Sequence, residues 1–252
     1  MTFKDHFSGH ASGYASFRPG YPTALFDFAA SLAPGRALAW DCATGNGQAA
    51  LGLAERFARV IATDASAAQL AQATPHPKIE YRQAPAEQSG LDGGCVDLVT
   101  AAAAVHWFDF DRFYAEVERV LAPGGALAVW AYNLPRVSPE LDRLTDRLSY
   151  EIAGSYWPPE RRWVDEEYRH IPFPFAEVEV PQFWIEESWD LHRLLAYIGT
   201  WSATQRYLQA HGEDPRDLLR DEMAAAWGDP DRERRVRFPV MMRAGHPRKD
   251  ML

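Results

Sequence analysis

The stretch Asp41-Cys42-Ala43-Thr44-Gly45-Asn46-Gly47-Gln48 decides how this chain is to be read. Ahead of it, Ala37 to Cys42 is a short apolar run interrupted only by Asp41. Behind it, Ala49, Leu53, Ala54 and Phe57 fall at helical spacing. A strand therefore runs through a glycine turn straight into a helix. Small residues at such a turn let the backbone approach a ligand, and the helix N-terminus offers N–H groups without intrahelical partners.

Strand and helix signals alternate outward from this turn. Val60-Ile61-Ala62 is a second apolar run that stops at Asp64, and Ser66 opens a short helix through Leu70, ended near Pro75 and Pro77. Ile79 to Arg82 predicts a third strand, and Val96, Leu98, Val99 and the alanines after them a fourth. Phe113, Val117, Val120 and Leu121 predict a helix closed by Pro123-Gly124-Gly125, with a fifth strand over Ala126 to Trp130. This alternation predicts a parallel sheet wrapped by helices on both faces. The second half reads differently. Ser138 to Ala153 predicts a helix, a Pro- and Trp-rich stretch runs to Phe175, and Val178, Val180, Phe183 and Ile185 alternate within a strand over Ala176 to Ile185. Another strand is expected over Arg235 to Met242, with two or three helices between Leu191 and Trp227. No repeat or clean linker interrupts the chain. The expectation is one domain over 1-252, with a cap segment at 1-35, a cofactor-binding core at 36-131, and a substrate lid completing the sheet at 132-252.

The chain has 252 residues, 47% of them hydrophobic and 24% charged, which is the mix of a globule with a real core. Its net charge of −9 repels phosphate backbones and anionic lipid, which argues against nucleic-acid or membrane partners. Cys42 and Cys95 are too few for a disulfide framework. No apolar run reaches the ~20 residues of a bilayer span, and MTFKDHFSGH lacks the features of a secretion signal. A cytoplasmic location is expected. Seven of the nine tryptophans (Trp130, Trp157, Trp163, Trp184, Trp189, Trp201, Trp227) lie in the second half, as core or as pocket lining.

Asp64 ends the second strand 19 residues beyond Gly45, where a carboxylate can accept hydrogen bonds from both ribose hydroxyls of an adenosine ligand. Two cofactors compete. Gly45-Asn46-Gly47-Gln48-Ala49-Ala50 satisfies G-x-G-x-x-A, which admits a nicotinamide or flavin enzyme. Asp41, at the strand end itself, would repel a pyrophosphate but suits the ammonium of an amino-acid ligand. S-adenosyl-L-methionine carries that ammonium, an adenosine and no phosphate, so the charge argument favours it.

These residues resemble the class I S-adenosylmethionine-dependent methyltransferases, of the type 11-like kind. Their first motif, D/E-x-G-x-G-x-G, matches DCATGNG except that Ala43 stands where the first glycine normally does. Asp64 matches the acid of the second motif, and Ala86-Glu87 resembles the loop flanking the adenine. Asp97-Leu98-Val99-Thr100 resembles the fourth-strand motif, and Leu121-Ala122-Pro123-Gly124-Gly125 the turn before the fifth strand. The resemblance spans residues 36 to 131 and implies a Rossmann-like fold with a mostly parallel seven-stranded sheet. A narrower resemblance, to small-molecule enzymes close to trans-aconitate methyltransferase, is carried by Phe7, by Tyr14 to Pro22, by Val105-His106-Trp107-Phe108 and by Trp201 to Tyr207. It implies that the N-terminal segment folds over the donor, with Tyr14 and Arg18 near its amino-acid end.

Each site residue has a plainer alternative. Gly45 and Gly47 can form a simple tight turn, and Asp64 can cap the following helix in competition with Ser66. Asp41 can tie down the turn. Glu87 is either an adenine contact or a solvated loop charge beside Ala86. His106 and Trp107, after the fourth strand, either touch donor or acceptor or wall the pocket. Asp109 or Asp111 caps the next helix more simply than it joins His106 at a metal, and no metal is expected. Arg18 and Arg206 suit an anionic acceptor. Methyl transfer mainly needs alignment and desolvation. A carboxylate acceptor needs no base, whereas a hydroxyl or amine would call on His106 or Tyr14. The alternatives from other classes are a non-catalytic module that binds the same donor and a nicotinamide-dependent oxidoreductase.

Overall fold

A computed structural model describes residues 19–248; the positions of Tyr14 and Arg18 lie outside them. Helix α1 (Thr23–Ser31) leads into β1 (Leu38–Cys42), α2 (Gln48–Ala54), β2 (Arg59–Asp64), α3 (Ala67–Leu70) and β3 (Ile79–Gln83). Then come β4 (Val96–Ala102), a 3-10 turn at Val105–Trp107, α4 (Phe110–Val120) and β5 (Leu121–Tyr132). The second half supplies α5 (Pro139–Asp146), α6 (Arg161–Asp165), β6 (Ala176–Glu177), β7 (Phe183–Trp189), α7 (Leu191–Gly199), α8 (Ser202–His211), α9 (Arg220–Trp227) and β8 (Arg234–His246).

The strands form one mixed sheet in the order β3-β2-β1-β4-β5-β8-β6, with β7 also paired to β8. Neighbours from β3 to β5 run parallel. Strand β8 is antiparallel to β5, β6 and β7. The architecture is the Rossmann-like one expected. Its edge position is shared by β7 on Arg234 to Val240 and the two-residue β6 on Gly245 and His246, which makes eight strands among the described residues where seven were expected.

Alternation along the strands builds a core on each face. Ala39, Val60, Ala62 and Leu98 point to one side, against Leu25 and Phe26 of α1 and Leu53 of α2. Trp40, Ile61, Val99 and Val129 point to the other, against Phe113, Val117 and Val120 of α4. Helix starts follow side-chain capping: Ser66, Asp109 and Ser138 each accept a backbone N–H in the first turn of α3, α4 and α5.

Three boundaries depart from the sequence reading. Pro123-Gly124-Gly125 lies within β5, where the β4–β5 register shifts between Val96 and Leu98 and Gly124 takes φ +80°. The helix expected through Ala153 becomes α5 followed by a π turn over Arg147–Ile152. The strand expected over Ala176 to Ile185 is split into β6 and β7, because Pro181 interrupts it and brings no N–H to the ladder. Of the second-half tryptophans, Trp130, Trp189, Trp201 and Trp227 are core residues.

Asp97, at the start of β4, locks the parallel centre: one carboxylate oxygen accepts the N–H groups of Ala37 and Leu38 at 2.8 and 3.0 Å. Asp97→Ala strands both donors at the mouth of β1. It is expected to lower unfolding free energy by about 1–3 kcal/mol in urea titration, and an unchanged midpoint would refute this role.

Candidate active site

The strand order reverses between β1 and β4, the place where open α/β sheets leave a crevice beyond their C-terminal ends. Asp41 sits there, fully buried, opposite Thr100 in the β1–β4 register. Thr100 donates its hydroxyl to one carboxylate oxygen at 2.7 Å, and Thr44 donates to the other at 2.5 Å. Burial raises the Asp41 carboxyl to about 6; the two hydroxyls pull it down and Asp64 pushes it further up. Asp41 ties the turn to β4 through threonine hydroxyls on both oxygens, a role that can coexist with facing a ligand's ammonium.

The turn itself alternates left-handed positions: Ala43, Gly45 and Gly47 have φ of +52°, +58° and +86°. A Cβ on Gly47 would collide with the Tyr81 hydroxyl of β3, whereas one on Gly45 would meet, among the described residues, only Gln69 Oε1 at 3.8 Å. Among those residues the face over Gly45 is thus open for a ligand. Ala43, where the family motif has glycine, holds a left-handed conformation that costs a side-chain-bearing residue about 1–2 kcal/mol. Asp64 braces the same turn from β2: its carboxylate accepts Gly45 N–H and Ser66 N–H, each at 2.8 Å.

Glu87 accepts the N–H of Asp109 at 3.1 Å, tying the loop after β3 to the start of α4 beside the buried Ala86. Its charge still reaches the site. The buried Cys42 thiol is pushed up first by burial, then by Asp41, Glu87 and Asp64 together. Three carboxylates thus make the C-terminal end of β1 strongly negative. That field suits a ligand carrying a sulfonium and an ammonium and opposes a pyrophosphate. The chemistry of the residues present fits S-adenosyl-L-methionine and disfavours a dinucleotide.

At the end of β4, Ala103 is left-handed (φ +52°), and the 3-10 turn carries His106 and Trp107 with ring centroids 4.9 Å apart. His106 is buried, with Nδ1 2.8 Å from the hydroxyl of the fully buried Tyr168. Burial, and secondarily the charge of Arg161, push the His106 imidazole down to about 3, so it is neutral at pH 7. Asp109 caps α4 through the N–H of Arg112. Among the described residues no three His, Cys, Asp or Glu side chains converge as a metal site. Arg206 on α8 donates to the Tyr156 carbonyl at 3.2 Å, and Tyr207 meets Tyr156 edge to face.

Thr44 and Thr100 stand inside the quoted motifs, yet only the strand register reveals them as partners of Asp41. Tyr168 and Arg161 come from an irregular segment with no periodic signal, so the sequence reading does not find them.

With this geometry in place, comparison with known proteins is decisive. The methyltransferase domain family matches residues 40–129. A methyltransferase relative from Dictyostelium discoideum is 32% identical over 247 residues, covering 95% of this chain and 94% of its own. An uncharacterised methyltransferase from Mycobacterium tuberculosis is 36% identical over 175 residues, 69% of this chain and 67% of its own. A solved structure from Anaeromyxobacter dehalogenans, described as a type II methyltransferase, superposes with a TM-score of 0.87 at 48% identity, covering 92% of this chain and all of that one. The chain belongs to the class I S-adenosylmethionine-dependent methyltransferases, and S-adenosyl-L-methionine is its cofactor.

Two stability predictions follow from the turn. The Asp41 carboxyl is raised from 3.8 to about 6, so its charged form opposes folding. That penalty is absent below the lower value and complete once pH passes the upper one. It amounts to about 3 kcal/mol at neutral pH. Asp41→Asn is therefore expected to melt above wild type at pH 7.5, with the gap closing towards pH 4; a pH-independent gap contradicts the burial argument. Ala43→Gly relieves the left-handed strain and is expected to raise stability by about 1 kcal/mol in denaturant titration, the reverse of the usual effect of glycine.

Proposed function

We propose that the chain methylates a small-molecule acceptor whose reacting atom is already nucleophilic, a carboxylate oxygen being the best fit. The observation that carries this reading is His106. A general base works best with a pKa near the operating pH, and burial has taken this imidazole far below it. Its geometry suits a wall that orients the acceptor instead. The Tyr168 hydroxyl fixes the ring, and the neighbouring Trp107 shields it.

When bound, the cofactor supplies a methyl group on a sulfonium sulfur, whose departure leaves a neutral thioether. The chain's part is to hold the two reactants in line and exclude water. The Gly45 turn would cradle the donor, with Asp64 at its ribose and the loop of Ala86 and Glu87 beside its adenine. The crevice between the ends of β4 and β5 would admit the acceptor past His106 and Trp107. Tyr14 and Arg18 would close over the donor from the N-terminal segment, and residues 132-252 would complete a single domain and form the lid. The net charge of −9 supports a small acceptor over nucleic acid. Among the described residues no helix is long and apolar enough to cross a membrane. A cytoplasmic location fits this reading.

Calorimetry is expected to show S-adenosylmethionine binding to wild type that is lost in Gly47→Trp, where the new side chain meets Tyr81, and strongly weakened in Asp64→Ala. Undiminished binding in both would refute this placement of the donor. For catalysis at saturating donor, His106→Gln is expected to lower kcat by less than about tenfold, because base catalysis is worth about 10²–10⁴. A larger loss, together with disappearance of an ionisation from the pH–kcat profile, would restore His106 as the base.

A further inference from the structure

Helix α3 turns a polar side chain inward where packing alone would favour an apolar one. Of its four residues the buried one is Gln69, only 9% exposed, while Leu70 is half-buried and Ala67 and Ala68 are exposed. The Gln69 backbone N–H serves the cap, donating to Ser66 Oγ at 3.3 Å. Its carboxamide serves nothing in the fold. Among the described residues it has no hydrogen-bond partner, and neither amide atom is one of the unpartnered polar atoms sealed away from solvent. A nearly buried side chain thus keeps its polar tip open to accessible space.

The surroundings show where that tip points. Helix side chains lean towards the N-terminus of their helix, and in α3 that is the end held by Asp64 and Ser66. Gln69 Oε1 lies 3.8 Å from where a Cβ on Gly45 would stand, over the face of the turn left open. Asp64 reaches the same place from β2, with one oxygen on Gly45 N–H and the other on Ser66 N–H. The Asp64 carboxylate and the Gln69 carboxamide therefore flank one spot beside the Gly45 turn.

Their chemistries are complementary towards a hydroxyl. An ionised carboxylate only accepts hydrogen bonds, whereas a carboxamide donates as well as accepts. A ribose hydroxyl has one proton to give and lone pairs to be matched. Asp64 can take the proton but offers nothing to the lone pairs. The N–H groups of Gln69 can.

We propose that Gln69 is a specificity-determining residue for the donor, binding a ribose hydroxyl jointly with Asp64 and selecting ribose over deoxyribose. This rests on the reading that lays the donor along the Gly45 turn with Asp64 at its ribose. It adds to that reading a side chain from α3 and a discrimination that the carboxylate alone does not complete. A residue that only packed α3 against the sheet would be apolar, because an inward amide without a partner is unfavourable.

The test titrates S-adenosylhomocysteine and its 2′-deoxy and 3′-deoxy analogues onto the full chain by calorimetry. Wild type is compared with Gln69→Leu, Gln69→Ala and Asp64→Ala. Gln69→Leu is expected to weaken S-adenosylhomocysteine by about tenfold, the loss of a hydrogen bond in a nearly buried site. For the analogue that lacks the contacted hydroxyl, wild type and Gln69→Leu should agree within about twofold, because the interaction is already gone. Gln69→Ala should show the same pattern, so a leucine that fits badly does not decide the outcome. A packing role would weaken all three ligands alike. The inference is overturned by that result, by S-adenosylhomocysteine binding Gln69→Leu within twofold of wild type, or by wild type binding both deoxy analogues as tightly as the parent. Undiminished binding in Asp64→Ala would overturn the placement of the donor and this inference with it. A large loss in Asp64→Ala with none in Gln69→Leu would remove the inference alone.

Discussion

The buried carboxylate of Asp41, bonded to Thr100 across the strand junction and to Thr44 in the turn, is the constraint on which the site depends. It joins β1 to β4 at the place in the parallel part of the sheet where the strand order reverses. It also fixes the first residues of a turn that must hold three successive left-handed positions at alternate residues. Keeping that carboxylate in a dry interior is unfavourable, as its raised pKa records. A neutral asparagine there would avoid that cost and would remove the negative charge at this end of β1. Stability and ligand chemistry pull in opposite directions at this position, which is common where function is built into a core.

Charge divides the crevice into two ends. At β1 and β2 the fields of Asp41, Asp64 and Glu87 converge, which suits a cationic donor. At β4 and β5, Arg161 provides the opposite sign, and the burial of His106 keeps a second cation from forming beside it. A positively charged donor would find complementary charge at the β1 and β2 end. The −9 of the whole chain hides this division.

Much of the proposed donor cradle is legible in the sequence because its signals are local. The strand, the glycine turn and the helix are consecutive, and Asp64 falls at the end of the next apolar run. The Asp41–Thr100 bond is not local: it needs the register of two strands 59 residues apart. The end of the sheet at β4 and β5 is harder still. Arg161, Tyr168 and Asn133 come from turns and a short helix whose spacing follows no period, so only the folded chain brings them to the ends of β4 and β5. The tryptophans show the same limit. Read from the sequence they are core or pocket lining; in the fold Trp130, Trp189, Trp201 and Trp227 are core, and Trp157 stacks on Arg161. Pro181 and the π turn after α5 broke two elements that hydrophobic alternation alone had made continuous.

The central claim is that the donor lies along the Gly45 turn with Asp64 at its ribose. A crystal structure of the chain with S-adenosylhomocysteine tests it most directly. The account predicts the ribose hydroxyls within hydrogen-bond distance of Asp64 and the amino-acid portion over the open face of Gly45. A ligand seated elsewhere, with the Gly45 turn and the Asp64 carboxylate out of its reach, would contradict it.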